Sequence, residues 1–157
     1  MHIQRLRPDD AVLAQQAITM LKSNTGKRRA HWLSETYLSN FLGRDENILL
    51  VALEQNRPIG FALAYRLERI DRAQDMVLFY EIEVDKEHRG RGAGTALINA
   101  LKDICREKAI MKMWVYTDKS NGAALQLYTS TGGSMNEHGD EVKFTYYFGR
   151  QEQHKEL

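Results

Sequence analysis

Two kinds of chemistry sit close together in this chain. Glu81 and Glu83 are paired carboxylates that can hold or deprotonate an amine. Just after them comes Arg89-Gly90-Arg91-Gly92-Ala93-Gly94, a basic, glycine-rich run. An apolar, strand-like stretch from Val77 to Val84 precedes that run, and a helical stretch from Thr95 to Lys108 follows it. A strand that feeds a glycine-rich turn into a helix builds an anion site. The first N–H groups of the helix lack intrahelical partners, and the helix dipole favours negative charge there. Glycines let a phosphate approach the backbone, because no Cβ stands in the way. Arg89 and Arg91 add fixed positive charge and forked donors. The expected ligand is therefore a pyrophosphate-bearing molecule held at residues 89 to 95, including Thr95. No Lys-Ser or Lys-Thr follows the glycines, so this is not a P-loop, and the spacing of Gly90, Gly92 and Gly94 does not fit the G-x-G-x-x-G dinucleotide fingerprint.

The two glutamates are two residues apart, so in a regular strand they share one face. Charge on a central strand needs a reason, because burying it unpaired is costly. One reason is a substrate cleft; the bland alternative is a solvent-exposed face or one covered by Lys and Arg. A bulge in the strand would break the simple alternation.

The elements around these residues follow from periodicity. Ile3 to Arg7 reads as a first strand ended by Pro8, with Asp9 capping a helix that runs to about Lys22. His31 to Leu42 reads as a second helix, stopped by Gly43. Ile48 to Leu53 is an unbroken apolar run, expected to be a strand buried on both faces. A turn at Gln55 to Pro58 leads into a returning strand, Pro58 to Tyr65, and Val77 to Val84 pairs next. Ala93, Leu97, Ala100, Leu101 and Ile104 mark one apolar face of the following helix. Met113 to Tyr116 is a strand, Ser120 or Asn121 caps a short helix through Tyr128 that Gly132-Gly133 ends, and Val142 to Phe148 is a last strand. The expected class is α+β: a mixed, mostly antiparallel central sheet flanked by helices, in one domain spanning residues 1–157.

Composition sets further bounds. Net charge is +1, from 22 Lys and Arg against 21 Asp and Glu, which argues against a dedicated nucleic-acid binder or a polybasic membrane anchor. No apolar run reaches the length of a membrane span, and the N-terminus lacks a signal-peptide core. The single Cys105 excludes an intramolecular disulfide and a cysteine-based zinc cluster, and the five histidines are scattered. A cytoplasmic, metal-free domain is expected.

The segment Arg89 to Gly94 resembles the R/Q-x-x-G-x-G/A acyl-CoA signature of the GNAT acetyltransferase superfamily, and Asn121 to Gly133 resembles that family's N-x-x-A-x-x-L-Y-x-x-x-G-F segment, with Gly133 where many relatives have Phe. The predicted element order is also similar to the GNAT fold. This resemblance implies an acetyl-CoA-dependent N-acetyltransferase. Acetyl transfer to an amine requires a held donor, a neutral amine, a stabilised oxyanion and a protonated leaving thiolate. The resemblance implies Glu81 as base with Glu83 second, Tyr128 as the acid, Asn121 bonded to the cofactor, and Ile82 and Val84 offering backbone groups to the pantetheine arm. On the residues alone, Tyr128 reads better as a core tyrosine, a reading that the resemblance reverses, Cys105 reads as core and His88 as a surface residue. The segments Phe79 to Val84, Ala96 to Lys102 and Ala124 to Gly133 are similar to the aminoglycoside 3-N-acetyltransferase branch, which implies a small polycationic acceptor and an acidic cleft. Glu81, Glu83, Asp118, Glu137, Asp140 and Glu141 could supply one; Lys27-Arg28-Arg29 counts against it. Another amine, a polyamine, an amino acid or a protein N-terminus stays open, as does a non-catalytic acyl-CoA sensor. Phe144, Tyr146, Tyr147 and Phe148 offer a surface on which two copies could pair, or an ordinary core strand.

Overall fold

The computed structural model describes residues 1–23, 33–71 and 73–135. The strands are β1 (His2–Arg5), β2 (Asn47–Glu54), β3 (Arg57–Leu67), β4 (Met76–Val84) and β5 (Lys112–Trp114). The helices are α1 (Ala11–Ser23), α2 (Glu35–Leu42), α3 (Ala93–Glu107) and α4 (Gly122–Ser130). The five strands form one sheet in the order β1-β2-β3-β4-β5. The first three pairings are antiparallel, and β4 pairs with β5 in parallel. This is the mixed, mostly antiparallel sheet expected from the sequence. The predicted strand from Val142 to Phe148 and the basic run Lys27 to Arg29 lie outside the described residues.

The unbroken apolar run of β2 is buried on both faces. Ile48, Leu50 and Ala52 join a core under α3 with Val77, Phe79, Leu97 and Leu101. Leu49, Val51 and Leu53 join a second core under α1 and α2 with Ala14, Leu21, Leu38 and Phe61. The sheet thus lies between two helical layers, and a strand exposed to neither solvent side carries no polar alternation. The β2–β3 hairpin closes through Gln55 and Asn56, both with positive φ (49° and 60°), the conformation a tight two-residue turn demands.

Several boundaries move for local reasons. The second helix starts at Glu35 rather than His31, because Ser34 is extended and its Oγ accepts the Tyr37 N–H at 3.1 Å. Asp10, not Asp9, closes the turn before α1: its carboxylate accepts the Arg7 N–H at 2.8 Å and the Gln4 amide at 3.1 Å. α3 begins at Ala93, two residues before Thr95, since Gly92 already holds the N-cap position. β5 ends at Trp114, so Val115 and Tyr116 leave the ladder.

Candidate active site

β4 is where the sheet parts. Only Met76, Val77 and Leu78 pair with β5. Beyond Leu78 the β5-facing edge of β4 has no partner strand among the described residues. The same stretch carries a bulge. Leu63 pairs with Glu81 but Ala64 pairs with Phe79, so Tyr80 is an extra residue on β4. The bulge shifts the phase of the strand. Val77 and Phe79 face α3 before it, and Ile82 and Val84 face α3 after it. Glu81 and Glu83 stand opposite Leu63 and Phe61, on the α1/α2 face. The two glutamates do share a face, as expected, because the extra residue precedes both. Without it they would point into the α3 core. The apolar spacing 77, 79, 82, 84 carried this phase slip in the sequence.

The bulge also sets the backbone. Asp85 N–H donates to Ile59 O at 2.9 Å, so Asp85 faces β3. Antiparallel alternation then turns the N–H and C=O of Ile82 and Val84 toward the open edge. One of these, Val84 O, accepts Arg89 Nε–H at 3.0 Å, and Arg89 also reaches Glu83 Oε1 at 3.1 Å. Arg89 therefore lies back along β4. Arg91 is exposed and has no partner among the described residues, which leaves it the loop's available cation.

The loop itself is shaped for close approach. Gly90 and Gly92 hold φ of +73° and +86°, and a Cβ on either would meet nothing within 4 Å. Their conformation requires glycine while the space beyond them is open. No side chain caps the α3 N-terminus. His88 anchors the preceding turn, with Nδ1 2.7 Å from Asp85 Oδ2 and Nε2 3.5 Å from Glu54 Oε2. Gly94 allows α4 to lie against α3, since a Cβ there would stand 3.1 Å from Leu127 Cδ2. Lys102 Nζ donates to Thr131 O at 2.6 Å and ties α3 to the end of α4.

That packing brings α4 under β4. The Tyr128 ring meets Phe79 edge to face, with centroids 5.9 Å apart and planes at 76°. Tyr128 is half-buried, and burial pushes its phenol above the usual value. Its hydroxyl bonds to no protein group among the described residues. Asn121 is the α4 N-cap: its Oδ1 accepts Ala124 N–H at 3.1 Å. Cys105 packs on the α3-side core, and burial pushes its thiol up, so it stays a protonated core residue.

On the other side of β4, aromatic residues that the sequence did not mark out gather beside Glu81. Phe41 and Tyr65 meet edge to face at 6.3 Å, and Tyr65 and Tyr80 at 5.6 Å. Tyr80 and Tyr37 are largely exposed. Of the other carboxylates expected in the cleft, Asp118 is exposed in the β5–α4 loop, and Glu137, Asp140 and Glu141 lie outside the described residues. The described residues contain no group of His, Cys, Asp and Glu able to hold a metal ion, and no helix long and apolar enough to cross a membrane.

The sheet thus splits beside a bulged strand, with a glycine loop and a helix without a side-chain cap at the mouth. The acetyltransferase (GNAT) family model matches residues 13–132, and the chain belongs to that family. It is 30% identical over 109 residues to the [ribosomal protein bS18]-alanine N-acetyltransferase of Escherichia coli strain K12, covering 68% of each chain. It superposes with a TM-score of 0.83 on an aminoglycoside acetyltransferase from an uncultured soil metagenomic sample solved with sisomicin, at 25% identity, covering 94% of this chain and 95% of that one. The same enzyme solved with trehalose gives 26% identity at the same TM-score.

Proposed function

We propose that this chain moves an acetyl group from acetyl-CoA to a primary amine by direct attack. The observation that carries the reading is the parting of β4 from β5 beyond Leu78, with Glu81 on one face of the strand and the Tyr128 hydroxyl, unbonded among the described residues, on the other. The residues fit the donor. Gly90, Arg91, Gly92, Ala93, Gly94 and Thr95 offer a pyrophosphate backbone donors, open space and, in Arg91, a cation unpaired among the described residues. The edge groups of Ile82 and Val84 suit an amide-bearing arm laid along the strand as a further strand would be. The amide of Asn121 stands at the start of α4.

Glu81 takes the proton of the incoming ammonium, directly or through one water, so that the amine attacks as a neutral nucleophile. A C–N bond forms and the C–S bond breaks; Tyr128 gives its proton to the departing thiolate and regains one from the new amide nitrogen, while Glu81 releases its proton to solvent. Burial keeps Tyr128 protonated and ready to donate. Glu83, held by Arg89, steadies the end of β4 and is the second choice of base.

Two acceptors have support. The fold's similarity to an aminoglycoside acetyltransferase favours an aminoglycoside, acetylated at the 3-amine as the strand and helix segments imply. The 30% identity to an alanine N-acetyltransferase favours a protein N-terminus. Thiol release from acetyl-CoA against aminoglycosides, polyamines, amino acids and alanine-initial peptides separates them. In the same assay Glu81→Gln should lower turnover on the accepted amine by at least about tenfold. Calorimetric acetyl-CoA binding without turnover on any amine would replace catalysis with sensing, and absence of binding would overturn the reading.

A further inference from the structure

Resting on the amine-acetylation reading above, we infer that Tyr37, Tyr65 and Tyr80 form an aromatic wall that selects acceptors carrying a second, non-reacting cation beside the amine that is acetylated. Three observations carry it. First, the Tyr80 bulge turns Tyr80 out to solvent, 61% exposed, in the residue next to Glu81. Second, Tyr65 and Tyr80 pack edge to face at 5.6 Å, with Phe41 buttressing Tyr65 from behind at 6.3 Å. Third, Tyr37 on α2 is 50% exposed and near enough to Tyr65 to act on it electrostatically. Tyr65 is Coulombically coupled to Tyr80, Tyr37 and Glu81, which places all four in one neighbourhood.

Exposed rings with negative faces attract ammonium and guanidinium groups. That attraction cannot serve the reacting nitrogen, because holding it as a cation opposes the deprotonation that attack requires. It serves a cation that keeps its charge throughout. A carboxylate beside an aromatic wall therefore sorts a diamine into two roles: one nitrogen at Glu81 loses its proton, and the other rests on the tyrosines. A monoamine of equal length leaves the wall unused. The β-branched or aliphatic lining that would favour an apolar neighbour is missing from this trio.

The test compares 1,4-diaminobutane with butylamine in the thiol-release assay at fixed ionic strength, with calorimetric titration of 1,4-diaminobutane into the protein alongside. The expected ratio of kcat/KM, diamine over monoamine, is about tenfold or more. Tyr80→Leu and Tyr37→Leu should each pull that ratio toward one, whereas Tyr80→Phe keeps it, since phenylalanine retains the ring face. Tyr37 lies on α2, outside the bulged strand, so its variant reads the wall even if Tyr80→Leu fails to fold. A ratio near one, or one untouched by either leucine variant, overturns the inference while leaving acetyl transfer intact. If neither amine is turned over but diamine binding is lost in the leucine variants, the wall stands and acetyl transfer to simple alkyl amines falls. Preference for butylamine would mark the surface as an apolar pocket instead.

Discussion

Replacing Tyr128 by phenylalanine removes one oxygen and little else. The ring that packs on Phe79 at 5.9 Å remains, and the lost hydroxyl bonds to no protein group among the described residues. Stability should therefore change by no more than about 0.5 kcal/mol. The chemical cost is larger. A free phenol sits near pKa 10 and a thiol near 8.5, and burial raises Tyr128 further, so handing its proton to a free thiolate is uphill by roughly 2 kcal/mol or more. Tyr128 can still lower the barrier, because the proton moves as the C–S bond lengthens and the sulfur is most basic. General-acid catalysis of this kind is worth about 10²–10⁴ in rate, or roughly 3–5 kcal/mol. Thiol release at saturating substrates, with calorimetric acetyl-CoA affinity alongside, separates the effects: kcat should fall by at least about a hundredfold while affinity stays within twofold. The acid form is the active one and exists below the raised pKa, so Tyr128 should cause no loss of wild-type kcat until pH exceeds about 10. A Tyr128→Phe enzyme with kcat within twofold of wild type would refute the reasoning and return Tyr128 to the core.

Two further outcomes follow from the loop and from the ion-pair hub. Gly92→Val forces a β-branched residue into φ +86°, yet its Cβ meets no neighbour, so stability should drop by about 1–2 kcal/mol of backbone strain while acetyl-CoA affinity drops at least about tenfold; unchanged affinity by calorimetry would remove the loop from donor binding. Asp45 stands among Lys108 Nζ at 2.8 Å, Arg5 at 3.0 Å, Arg7 at 3.6 Å and Arg66 at 3.9 Å, and the Lys108 bond, followed by the charges of Lys108, Arg5 and Arg66, lowers its pKa to about 2 against the opposing effect of burial. Because the folded value is the lower one, the stabilisation is present above about pH 4 and is lost as pH falls toward 2. The carboxylate is half-exposed, so solvent screening reduces the gain to about 1 kcal/mol. Asp45→Asn should lower the melting temperature at pH 7 and flatten the acid limb of the stability curve; an unchanged curve would show that the hub contributes nothing.

Some of this protein is written locally. The β4–loop–α3 unit is legible because its signals are contiguous: an apolar run, glycines that only certain φ values need, and a helix with one apolar face. β2 is legible because an unbroken apolar stretch permits burial on both faces and little else. The short helix around Tyr128 is legible from Asn121 and the closing glycines. Helix starts were less so, because Ser34 and Asp10 compete with equally plausible neighbours until a tertiary arrangement fixes which one bonds.

The sequence alone determined that a strand bearing two acids feeds a basic glycine turn into a helix, since each step depends on residues adjacent in the chain. Tertiary structure decided what those acids face. The Tyr80 bulge exists only in the pairing of β3 with β4, and it alone turns Glu81 and Glu83 from the α3 core to the α1/α2 side. Folding likewise laid Arg89 against Glu83, leaving Arg91 as a loop cation unpaired among the described residues, and packed Tyr65 of β3 against Tyr80 of β4. Pairing register and ring packing join segments distant in the chain: the apolar spacing 77, 79, 82, 84 is a local trace of the bulge, but only pairing with β3 fixes it.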